Sequence, residues 1–108
     1  MVGGFESTYL PANGVDAVTT TRHDLRRGPD LAHLQVAGVR HVRYPLRWQR
    51  IETTRGHFRW VETDAALDQI RERGLVPIVD LVHHTSYPGW LTDGFRDRGF
   101  HPAYVRYT

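Results

Sequence analysis

Three short β-compatible runs each carry, at or near their far end, a side chain able to hold a hydroxyl group or a charge. Glu6 follows Val2-Gly3-Gly4-Phe5, Arg43 lies near the end of Val39-Arg40-His41-Val42-Arg43-Tyr44, and His83 follows Leu75-Val76-Pro77-Ile78-Val79-Asp80-Leu81-Val82. A carboxylate accepts hydrogen bonds, a guanidinium donates them from a rigid fork, and an imidazole can do either. Strand alternation sets Arg43 opposite Val42 and Tyr44, and His83 opposite Val82, so both can face a cavity while their apolar neighbours pack. A single polar residue at a strand end is commonly solvated rim. The same position filled in three successive units points instead to a binding wall, because strand ends share one mechanical place in a parallel α/β fold.

Other chemistries fit less well. His83 and His84 are adjacent, and neighbours on a strand point to opposite faces, so they are not expected to chelate one ion; no metal is expected. The chain has no cysteine, which removes disulfides and thiolate zinc sites. A nucleophilic serine on a G-x-S-x-G turn is missing, and Gly3-Gly4 precede the polar end of the first run instead of forming a G-x-G-x-x-G loop after it, so no dinucleotide or other cofactor is expected. All 14 basic residues are arginine, set against 12 acidic ones in no like-charge block, which reads as a solvated surface and not a nucleic-acid stripe. Trp48, Trp60, Trp90 and Tyr87 offer flat faces for a sugar ring, with core packing the competing use of the tryptophans.

The elements that must position these groups follow from the pattern. A first strand over Val2–Tyr9 is broken by Pro11, Asn13 and Gly14, and a loop runs on through His23. Pro29 is placed in the first turn of a helix whose stripe is Leu31, Leu34, Val36 and Ala37, and Gly38 closes it. A second strand over Val39–Tyr44 stops at Pro45. A long loop follows, with one helical turn from Trp48 to Ile51, and then a helix from Val61 to Arg73. That helix has Glu62 and Asp64 at its positive end, Arg71 and Arg73 at its negative end, and Gly74 as cap. The nearly unbroken apolar run Leu75–Val82 reads as a strand covered on both faces, and a third helix begins near Pro102. Strand-helix alternation of this kind builds a parallel sheet, and long loops bearing Trp, His and Arg favour a closed barrel over a doubly wound sheet.

Arg43-Tyr44-Pro45-Leu46-Arg47-Trp48-Gln49-Arg50-Ile51 resembles the second-strand signature of glycoside hydrolase family 1. Leu81-Val82-His83-His84 is similar to that family's third-strand Leu-Tyr-His-Trp, and Gly4-Phe5-Glu6-Ser7 to the segment in which an aromatic residue precedes a sugar-binding Gln. The three pieces are correctly ordered and spaced and span nearly all of the chain. The departures are Glu6 for Gln, His84 for Trp, and Pro45 and Arg47 for small residues. The opening and the Leu-Val-His-His stretch look more like a divergent bacterial branch, some members of which resemble fusions of a glycosidase-like barrel to a sugar-nucleotide reductase of the dTDP-4-dehydrorhamnose type.

The resemblance implies the first three β/α units of a (β/α)8 TIM barrel, with residues 1–108 forming one partial domain. The implied activity is retaining hydrolysis of a β-glycoside by two carboxyl groups about 5 to 5.5 Å apart. Both would lie beyond Thr108, so the chain itself holds no catalytic residue and would be inactive alone. Its share of the site would be a substrate-binding set of Glu6, Arg43, His83, His84 and Trp48, with Arg43 beside the nucleophile. The implied partners are a carbohydrate and the remainder of the barrel, which typically takes about 250 residues. The alternative is a non-hydrolytic carbohydrate-binding or regulatory barrel linked to sugar-nucleotide metabolism. No run approaches the roughly 20 apolar residues of a membrane helix, and Met1-Val2-Gly3-Gly4 has no basic-then-apolar leader, so a cytoplasmic protein without membrane attachment is expected.

Overall fold

A computed structural model describes residues 1–108. Its main sheet is parallel and three-stranded, in the order β1 (Val2–Gly4), β4 (His41–Pro45), β5 (Val76–Asp80). Between β1 and β4 lie a small antiparallel hairpin, β2 (Tyr9–Leu10) and β3 (Val15–Asp16), a one-turn helix α1 (Ala17–Thr20), and the long helix α2 (His23–Val36). The turn α3 (Trp48–Ile51) and helix α4 (Val61–Glu72) connect β4 to β5, and a short 3-10 turn at Gly94–Arg96 leads into α5 (Phe100–Tyr107). The result is a small mixed α/β unit in which each strand of the main sheet is followed by helix.

The sheet sorts its faces by alternation. Val42 and Tyr44 point from β4 into a core with Leu31 of α2, Ala66 and Ile70 of α4, and Leu75. The opposite face carries His41 and Arg43 of β4 together with Val76 and Ile78 of β5, the last two 50% and 45% exposed. A strand covered on both faces was expected over Leu75–Val82. The observed β5 is shorter, and one of its faces lies open, because no element of this chain crosses over it.

Three further local readings change. The first strand ends at Gly4, and Tyr9 belongs to the hairpin, which turns at Gly14 with φ +68°. Pro29 lies in the interior of α2, not in its first turn, because the helix starts at His23. The carbonyl of Leu25, which Pro29 cannot reach with an N–H, belongs to an exposed residue and can turn to water. The turn α1 is an element the apolar spacing does not show: Asp16 caps it, its carboxylate accepting from the Val18 N–H at 3.0 Å and the Thr19 N–H at 3.4 Å. The left-handed glycines expected after the two long helices are present, Gly38 at φ +75° and Gly74 at φ +68°.

A second core sits beyond the C-terminal ends of the strands. Leu46, Trp48, Ile51, Leu91, Ala103 and Tyr107 form it, with Trp60 and Trp90 packed around them. This cluster fixes the long loops of β4 and β5 with aromatic contacts and so holds the rim on which the polar residues stand.

Candidate functional site

Phe5 sets the position of Glu6. Its ring stacks on His23, centroids 3.8 Å apart, and meets Tyr44 edge-on, which anchors residue 5 to the core and leaves Glu6 facing outward. The Glu6 carboxylate is then fixed locally, because one oxygen accepts from the Ser7 N–H at 3.0 Å, the Thr8 N–H at 2.8 Å and the Thr8 hydroxyl. These bonds, led by the Thr8 hydroxyl and backbone and helped by the nearby His83, draw its pKa down to about 2. Glu6 is a carboxylate throughout the neutral range.

The loop after β5 is tied to the loop after β1 by two hydroxyl groups: Thr85 donates to the carbonyl of Tyr9, and Ser86 to that of Ser7, the latter at 3.2 Å. Residues about eighty positions apart in sequence thus meet, and His83 arrives beside Glu6. His83 is 8% exposed. Its Nδ1 lies 2.9 Å from Asp80 Oδ2, and its Nε2 lies 3.4 Å from Glu6 Oε1. Asp80 Oδ2 is also 3.6 Å from Arg43 Nη1, whose strand is in register with β5 so that Pro45 pairs with Asp80. A continuous polar line therefore runs Arg43, Asp80, His83, Glu6 across the C-terminal ends of the three parallel strands. Half-exposed Arg43 and Glu6 present donors and an acceptor to solvent, while buried His83 and partly buried Asp80 hold the middle.

His84 joins this group by a route the strand argument excluded. Residues 83 and 84 lie past the end of β5, and His84 has φ +51°, so the alternation of a strand does not apply to them. The two imidazole rings meet at 4.3 Å with planes at 77°.

Trp48 is not part of the site. It is fully buried, its ring stacks on Tyr107 at 4.7 Å and 6°, and its indole N–H donates to Glu52 Oε2 at 2.8 Å. Its place at the start of α3 turns it into the second core, which needs a large flat side chain there. Trp60 also stacks on Tyr107, the Trp90 indole donates to the Glu52 carbonyl at 2.8 Å, and Tyr87 meets Phe95 edge-on at 5.2 Å, so these aromatic residues pack on the second core. Asp80, by contrast, is masked in the sequence by the apolar run around it, and a lone carboxylate inside such a run is the signal that marks it.

The class these features define is a parallel α/β unit with a polar cluster at the carboxyl ends of its strands, the side on which such folds bind ligands. No protein-family model matches the chain, and no curated protein sequence matches it. Among solved structures, the chain is similar to the β-glycosidase BGL167, with 32% identity over 79% of this chain and 21% of that one at a TM-score of 0.70. It is also similar to the family 1 β-glucosidase of Thermotoga maritima, with 26% identity over 79% of this chain and 21% of that one at a TM-score of 0.66. The latter enzyme has also been solved with cyclophellitol and with castanospermine. The exo-β-1,4-mannosidase Op5Man5 from Opitutaceae bacterium strain TAV5 shares the fold over 98% of this chain and 20% of its own, with 22% identity and a TM-score of 0.71. The chain spans about a fifth of the length of each of these glycosidases.

Proposed function

We propose that this chain is the N-terminal portion of a glycosidase-like (β/α)8 barrel and supplies part of its sugar-binding wall, with Glu6, Arg43 and His83 as the contacts. The observation that carries the reading is the polar line from Arg43 through Asp80 and His83 to Glu6, set at the carboxyl ends of parallel strands in a chain that overlays 21% of the length of a β-glycosidase and of a family 1 β-glucosidase. The open face of the sheet, with Val76 and Ile78 half exposed beside Arg43, suits a surface that further strands would enclose.

In this reading the two carboxyl groups of a retaining hydrolysis come from later strands, about 5 to 5.5 Å apart. Arg43 lies next to the nucleophile and favours its ionised form by charge proximity. Glu6 accepts hydrogen bonds from sugar hydroxyls, and His83 is held by Asp80 in the orientation its sugar contact needs. A carboxylate at position 6 cannot donate, so a hydroxyl that must accept at that subsite is bound less well than by an amide.

The test is Arg43→Met and His83→Ala in the intact protein, assayed on aryl β-glycosides with stability followed in parallel. Each variant should lose kcat/KM by about 100-fold or more, the scale of one lost transition-state contact. Turnover unchanged in both would remove them from the site, and an intact protein that binds glycosides without cleaving them would favour the non-hydrolytic barrel.

A further inference from the structure

The facing atoms of Glu6 and His83 leave a chemical mismatch. His83 Nδ1 lies 2.9 Å from Asp80 Oδ2, an acceptor, which assigns the proton of the neutral ring to Nδ1 and leaves the lone pair on Nε2. Nε2 is buried, has no hydrogen-bond partner, and points at a carboxylate oxygen 3.4 Å away that is also an acceptor. Nε2 is shut off from water while Glu6 stands at the solvent edge, so the two facing acceptors are matched by a donor or a cation placed between them.

We propose that Glu6, His83 and His84 form a binding site for a divalent transition-metal ion of the zinc class. Several independent features support it. One oxygen of Glu6 and one nitrogen from each histidine lie within 4.8 Å of one another. The 3.4 Å separation of Nε2 from Oε1 is that of two donors at a tetrahedral metal with bonds of roughly 2.0 to 2.1 Å, and Oε1 would give up part of its bonding to Ser7 and Thr8 to take the ion. Asp80 provides the outer carboxylate that metal-binding histidines commonly use to fix tautomer and ring orientation, and Arg43 holds that carboxylate in turn. His84 is one of two non-glycine residues with positive φ, a backbone conformation that L side chains rarely adopt and that here brings its ring to the ring of His83. Two imidazoles and one carboxylate select zinc, cobalt, nickel or copper over magnesium or calcium, which take oxygen shells. Three protein ligands leave the remaining coordination positions open, on the side where Glu6 and His84 meet solvent.

This inference goes beyond the sugar reading and does not require it. The experiment titrates the intact protein, stripped by chelator and dialysed, with Co2+ alone and follows the visible d–d bands, with Zn2+ displacement as a second measurement and no sugar present. One equivalent of Co2+ should bind with tetrahedral-type bands that Zn2+ abolishes. His84→Gly should remove the bands, and because glycine accepts φ +51° freely this variant should fold at least as well as the parent. Asp80→Asn should weaken binding by about 10- to 100-fold by releasing the ring orientation of His83. His57→Ala, at an exposed histidine outside the cluster, should bind as the parent does. Absence of a saturable band overturns the proposal, and so does a band that persists in His84→Gly. The third overturning result is a 15N spectrum in which His83 Nε2 carries a proton at neutral pH and ignores added Co2+, since an imidazolium would then supply the positive charge. The sugar assays are run in chelator, so either reading can fail alone.

Discussion

Trp48 provides the sharpest separation of a structural role from a binding role. Its side chain is wholly buried, meets Trp90, Phe100 and Tyr104 edge-on, stacks on Tyr107, and donates its indole hydrogen to Glu52 Oε2. Glu52 is itself fully buried, and its other oxygen accepts from the Gly56 N–H at 2.7 Å. Trp48→Ala should therefore cost about 3 to 5 kcal/mol, the range for removing a large aromatic from a packed core. Trp48→Phe keeps the stacked ring but leaves one oxygen of a buried carboxylate without a donor, at about 1 to 3 kcal/mol. Glu52→Gln should also destabilise, because its amide can accept from only one of the two N–H groups that now face carboxylate oxygens. In the double variant the amide oxygen can serve Gly56 alone with no indole N–H left to satisfy, so its cost should fall short of the sum of the two single changes by about 1 kcal/mol or more. Urea unfolding of the intact protein and its variants, read by far-UV circular dichroism, gives all four corners of the cycle. A Trp48→Phe variant within about 0.5 kcal/mol of the parent, the spread of ordinary surface substitutions, together with lost glycoside affinity, would refute the argument and return Trp48 to the site.

The other predictions concern different parts of the molecule. Gly94→Ala should destabilise the loop before α5 by about 2 kcal/mol or more, measurable in the same urea series, because a Cβ there would overlap the Tyr87 hydroxyl and φ is +56°. Arg47→Met should cost about 3 kcal/mol in that assay, since buried Arg47 holds Asp16 at 2.7 Å and Glu62 at 2.9 Å and its loss leaves the largely buried Asp16 without its cation. Glu6 has its pKa lowered in the folded chain, so it contributes stability above about pH 4.5 that is lost as pH falls toward 2. In Glu6→Gln the fall of Tm between pH 5 and pH 2.5 should be shallower than in the parent, and an equal slope would remove the Thr8 bonds from the account. Residues 1–108 purified alone should aggregate or melt without a sharp transition, because Val2, Val76, Ile78 and Val79 are 62%, 50%, 45% and 41% exposed on or beside an unpaired sheet edge. A sharp monomeric melt would contradict the partial-barrel reading.

Much of the fold was legible in the sequence because local rules carried it. The glycine caps at 38 and 74, the stop at Pro45, the turn from Trp48 to Ile51 and the charge bias of α4 each depend on a few neighbouring residues. What the sequence concealed was tertiary. The helix α2 runs through Pro29 because a whole turn before it, from His23, is held by packing of His23 on Phe5 and by its contact with Asp30 at 2.7 Å. The exposure of β5 could not be read from composition, since an apolar run looks the same whether or not its second face has a cover. In the site, Glu6, Arg43, His83 and His84 do come together, but Asp80, which links them, was hidden in that same run. The separation of His83 from His84 onto opposite faces failed because alternation holds only inside a strand, and β5 ends at Asp80.

The most direct test of the central claim is whether a sugar mimic touches His83. In the intact protein, kept metal-free and carrying 15N-labelled histidine, saturation with castanospermine should shift the His83 ring nitrogens and leave those of the exposed His57 in place. His83→Ala should abolish that signal and weaken binding by about 10-fold or more, the cost of one lost hydrogen bond to a buried donor or acceptor. Tight castanospermine binding with no movement at His83, or affinity unchanged in His83→Ala, would contradict the account.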